Sequence, residues 1–148
     1  MSTVTFTRSA ELVWEGDVAR GSGKVSAGSG SFAVAATFPT LRGEAPAMTT
    51  PEELLAASHA VCYGIGLRSV IARNRGSASR IVVTATLTAE KGQGAIRIRN
   101  SHLTATVEGL VGIDHEALAE IGAATKRECT ISMAIAGSVE VTYSVSPA

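Results

Sequence analysis

The chain has 148 residues, enough for one domain spanning 1–148 with a real core and too few for a second independent unit. Thirteen basic residues balance thirteen acidic ones and lie scattered, so the clustered positive charge that nucleic acid requires is missing. Apolar runs fall short of the ~18 residues that span a bilayer and no N-terminal stretch resembles a signal peptide, so the expectation is a cytoplasmic protein with neither membrane nor nucleic acid as partner.

Gly16, Gly21, Gly23, Gly28 and Gly30 punctuate runs with strand character at 10–14 and 32–37, which predicts a small antiparallel sheet with tight turns. The spacing of Gly21 and Gly23 imitates a phosphate-binding loop, but no strand-then-helix context surrounds it. Thr50 then suits an N-cap, Pro51 the first helical position, and Glu52 and Glu53 the turn where the helix dipole favours acids. Leu54, Leu55, Ala57, Ala60, Val61, Ile65, Leu67, Val70 and Ile71 leave little polar surface, the pattern of a helix covered nearly all round. Gly76 is placed to close that helix with a left-handed cap. One small sheet offers less cover than such a helix needs, so self-association, as a homodimer, is a physical expectation.

Residues 81–87 and 96–107 read as a β-hairpin turning at Lys91-Gly92-Gln93-Gly94. Asp114 is a fitting N-cap for a second helix from His115 to about Glu128, with Leu118, Ile121 and Ala124 on one stripe. Val139, Val141, Tyr143 and Val145 alternate as a final strand. The fold class is therefore α+β.

Chemistry concentrates on the two cysteines. Cys62 lies inside the apolar helix, and Cys129 follows Lys126 and Arg127 at the end of the second helix, where cations could favour a thiolate. Their separation excludes a CxxC motif, and two thiols supply only half of a structural zinc site, so no bound cofactor or metal is expected. In a reducing compartment two such thiols suggest redox chemistry. A buried cysteine most often simply packs, and Trp14 and Tyr63 suit core or pocket wall. His59 precedes Cys62 by about one turn, which admits a Cys–His nucleophile pair, with packing as its plain alternative. His102 and His115 are expected to face solvent.

The stretches Val13-Trp14-Glu15-Gly16-Asp17 with Arg20-Gly21-Ser22-Gly23, Thr50-Pro51-Glu52-Glu53-Leu54 with His59-Ala60-Val61-Cys62, and Cys129-Thr130-Ile131-Ser132 together resemble the OsmC/Ohr family, in its OsmC branch. The resemblance implies an intertwined homodimer whose antiparallel sheets wrap around central helices, with two sites at the interface that reduce hydroperoxides to alcohols, organic hydroperoxides first and hydrogen peroxide as a further substrate. It makes Cys62 the peroxidatic and Cys129 the resolving cysteine, with an external dithiol of dihydrolipoyl type as reductant. It also implies an activating arginine, Arg20 or Arg42, held by Glu52. Ten residues of continuous helix rise about 15 Å, so Glu52 would reach a Cys62 thiol only across subunits or through that arginine. The family usually has proline where Thr130 stands. A cysteine hydrolase and a non-catalytic ligand-binding or redox-sensing module are the alternative readings.

Overall fold

The computed structural model describes residues 2–37 and 47–148. Its contacts group into two compact units, Met1–Pro51 and Glu52–Ala148. The expected arginine Arg42 and the Glu44-Ala45-Pro46 stretch lie outside the described residues.

The first unit is an antiparallel meander of β1 (Ala10–Glu15), β2 (Ser22–Ala27) and β3 (Ala33–Ala36). Between β1 and β2 the chain folds tightly, with Gly21 N–H donating to the Asp17 carbonyl at 2.7 Å and Gly16 at φ +90°. A side chain at Gly21 would strike the Asp17 and Glu15 carbonyls, so these glycines serve a turn and not a ligand. Leu12 and Val13 point to opposite faces of β1, yet both are more than half exposed. Within one chain this sheet therefore leaves apolar surface open on each side.

The second unit holds α1 (Pro51–Arg73), the hairpin of β4 (Arg80–Lys91) and β5 (Ile96–Glu108), then α2 (His115–Glu128), α3 (Thr130–Ile135) and β6 (Glu140–Pro147). The sheet order is β4-β5-β6, with β6 parallel to β5, a pairing that requires the α2–α3 crossover. Ser101, Leu103, Ala105 and Val107 alternate inward from β5 and meet Tyr63, Leu67, Val70 and Ile71 of α1 with Leu118 and Ile121 of α2. Asp114 caps α2 as expected, accepting from Ala117 N–H at 2.8 Å.

Three expectations need correction. The buried stripe of α1 is His59, Tyr63, Leu67, Val70 and Ile71, so one chain covers one face only, while Val61 and Ile65 are 60% and 67% exposed. By length and composition this helix is also apolar enough to cross a bilayer, contrary to the expectation that no stretch is. Finally, α1 ends in a Schellman motif: Gly76 N–H bonds the Ile71 carbonyl and Arg75 N–H the Ala72 carbonyl. The left-handed residue is thus Arg75, at φ +64°, not Gly76. Gly76 is needed for space, since a Cβ there would lie 2.3 Å from Ile113 Cγ1.

Candidate active site

Two elements bring the cysteines together. The 23-residue α1 presents Cys62, half-buried at the edge of its inward stripe. The 14-residue α2 stops at Glu128, and Cys129 takes extended backbone angles (φ −69°, ψ 116°) that end α2 and begin α3. Cys129 is 3% exposed and acts as the N-cap of α3, its Sγ accepting from Ser132 N–H at 3.5 Å. Both thiols are free. The ends of α1 and α2 are tied beside this junction by Arg73, whose guanidinium donates to both oxygens of Glu128 at 2.8 and 2.9 Å.

Burial pushes the Cys62 thiol up, but hydrogen bonds from Ile131 N–H, the Cys129 thiol, Thr130 N–H and the Thr130 hydroxyl together bring it below the ordinary thiol value. The downward pull comes from the N-cap and first residues of α3, a segment absent from the sequence-based element order. Its six residues are too few to show a helical period, and cysteine is not among the customary N-caps, so little in the sequence signals it.

His59 is fully buried and its ring is spoken for on both sides. Nδ1 lies 2.7 Å from Ser101 Oγ on β5 and Nε2 lies 2.8 Å from Ser132 Oγ on α3. Desolvation holds the imidazole below its ordinary pKa, and a neutral ring has one donor and one acceptor nitrogen, both engaged by serines. Nothing is left to serve as base toward Cys62, so the hydrolase pairing finds no support. Tyr63 is likewise a core residue, donating its hydroxyl to the Gly122 carbonyl at 3.1 Å with its ring 6.3 Å from that of Tyr143.

Glu52 sits at the start of the same continuous helix as Cys62, ten positions earlier, as the rise argument requires. Its Oε1 is buried and has no hydrogen-bond partner among the described residues. Arg20 belongs to the first unit, where its backbone N–H donates to Asp17 Oδ1 at 2.7 Å and its side chain is exposed. Trp14, in the same unit, is half-buried and its indole donates to the Gly16 carbonyl. Among the described residues no cluster of three His, Cys, Asp or Glu could hold a metal ion.

Comparison with known proteins places this geometry. The family of OsmC-like proteins matches residues 43–144. Peroxiredoxin OsmC of Escherichia coli K12 is 28% identical over 140 residues, covering 95% of this chain and 97% of that protein. Among solved structures, an organic hydroperoxide resistance protein from Elizabethkingia anophelis superposes with a TM-score of 0.80 at 24% identity over the full length of both chains. The organic hydroperoxide resistance protein OsmC of Legionella pneumophila gives 0.75 at 24% identity, covering 97% of this chain and 99% of its own. These likenesses show the α+β fold to be that of OsmC and Ohr proteins.

Proposed function

The chain belongs to the OsmC-like protein family, and from that premise we propose that it is a cysteine-based peroxidase reducing organic hydroperoxides to alcohols. The observation that carries the reading is the meeting of two free thiols at the head of α3, Cys129 as its N-cap and Cys62 beside it, where the donors at positions 129 to 131 hold Cys62 below its ordinary pKa. A thiolate, not a thiol, attacks the peroxide bond. The Cys62 thiolate takes the terminal oxygen of ROOH, giving a sulfenic acid and an alkoxide that is protonated to the alcohol. The Cys129 thiol then condenses with the sulfenic acid, releasing water and forming a disulfide. An external dithiol of dihydrolipoyl type restores both thiols and leaves as its own disulfide. No bound cofactor enters these steps.

Glu52 is assigned the role of holding an arginine near the nucleophile, with Arg20 and Arg42 as candidates. The buried, unpartnered Oε1 of Glu52 supports this, because a carboxylate oxygen out of water without a donor costs folding free energy. The acting unit is assigned as a homodimer in the cytoplasm, where thiols rest reduced. The exposed Val61 and Ile65 on α1 and the open faces of the β1–β3 sheet support self-association. The apolar surroundings of Cys62 favour bulky organic peroxides over hydrogen peroxide.

The test is intact-mass analysis with thiol counting after one equivalent of cumene hydroperoxide, beside Cys62→Ser and Cys129→Ser. Wild type should lose two thiols and two mass units, and a sulfenic acid should be trapped only when Cys129 is absent. Two unreacted thiols would sink the reading in favour of a binding or sensing module.

A further inference from the structure

We propose that His59 is a positioning residue for Cys129: it spans the interior from Ser101 on β5 to Ser132 on α3 and so fixes the N-cap thiol where it can close a disulfide with Cys62. The inference rests on the two-cysteine reading above for its use, though not for its geometry.

Each link is short. Ser101 lies in the middle of the β4-β5-β6 sheet, paired with Leu87 on one side and Val141 on the other, so it is an anchor that cannot shift without breaking two ladders. His59 is rooted in α1 three residues before Cys62, and its ring touches Ser101 at 2.7 Å and Ser132 at 2.8 Å. Ser132 in turn offers its backbone N–H to Cys129 Sγ. The four side chains His59, Ser101, Ser132 and Cys129 are all 5% exposed or less. A bond lost there cannot be replaced by water without opening the core.

The element held in this way is the shortest helix in the unit. With six residues, α3 is too short to be stable by its own backbone bonds, and Ser132 is its only buried residue. Ile131 and Ile135 add partial packing against the core. The imidazole is thus a buried polar tie between α3 and the same helix that carries the partner thiol, beside the donors that Thr130 and Ile131 turn to Cys62. A disulfide demands Cβ atoms about 3.5–4.5 Å apart and a defined dihedral, tolerances that a loosely docked helix would miss most of the time. A histidine with both nitrogens engaged is stiffer in this role than an apolar residue of similar size.

The readout is the effective molarity of the Cys62–Cys129 pair, measured by equilibrating reduced protein with mixtures of oxidised and reduced glutathione. The exchange turns protein dithiol and oxidised glutathione into protein disulfide and two reduced glutathiones. His59→Leu, which keeps bulk and removes both bonds, and Ser132→Ala, which removes only the hydroxyl, should each lower it on the order of tenfold or more. His59→Gln, whose amide can still reach Ser132, should recover most of the loss. Equal effective molarities in wild type and Ser132→Ala would overturn the proposal even if His59→Leu failed to fold. A His59→Gln protein as poor as His59→Leu would also overturn it, since volume and not the bond would then matter. Should wild-type thiols ignore cumene hydroperoxide, the peroxidase reading falls while the glutathione result still decides the role of His59.

Discussion

Cys62 feels opposed influences: burial favours the neutral thiol, and the donors at the head of α3 favour the thiolate and win. Thr130 supplies two of those donors, its N–H and its hydroxyl, and proline at the same position could supply neither. Iodoacetamide labelling of Cys62 followed across pH should therefore titrate below an ordinary cysteine. Thr130→Pro should move that midpoint up and slow labelling at pH 7 severalfold, whereas an unmoved profile would mean that the other donors suffice. His59 makes an independent prediction. Because its folded pKa is depressed, its contribution to stability is complete above the unfolded value of about 6.5 and is lost as pH falls toward the folded value. Urea midpoints should accordingly drop between pH 7.5 and 5.5 in wild type, and His59→Gln should show a shallower drop.

At the scale of elements, the ends of helices carry the design. The Schellman closure of α1 places Arg75 in left-handed backbone, which costs an L-residue about 1–2 kcal/mol that glycine does not pay. Arg75→Gly should stabilise the protein by roughly 0.5–1 kcal/mol after the greater chain entropy of glycine is offset, read as a higher melting temperature. Gly76→Ala should do the reverse, because Ile113 occupies the space a Cβ would need. The other helix end that matters is the break at Cys129, where one residue terminates α2 and caps α3. That break turns α3 so that its first N–H groups face Cys62 instead of continuing along α2.

At the scale of the whole molecule, large apolar side chains among the described residues stand in water. Val61 and Ile65 stand one turn apart on the outer face of α1, and each would contribute roughly 1.5–3 kcal/mol if covered. Leu12, Val13, Val18 and Phe6 repeat the pattern in the first unit. Ile65→Glu should shift a dimer toward monomer in sedimentation analysis. A wild-type chain that sediments as a monomer at micromolar concentration would instead leave these residues to another partner.

The sequence by itself determined the elements whose signals are local. The helix beginning at Thr50-Pro51, the hairpin around Gly92, the Asp114 cap and the alternating last strand all depend on neighbours within a few residues, and each stands where its pattern predicts. Family motifs likewise singled out Cys62, Cys129 and Glu52 before any fold was drawn. Only the tertiary structure decided which groups meet. It put Ser101 and Ser132 on the two nitrogens of His59, residues 42 and 73 positions away, and so turned a possible catalytic base into a buried brace. It set the donors of α3 on Cys62, from a short helix that no pattern in the sequence announces. It also showed which side of α1 the chain can cover. The physical reason is common to all three: a hydrogen bond or a buried face depends on distance in space, and sequence patterns encode periodicity along one element, not the partners that packing brings to it.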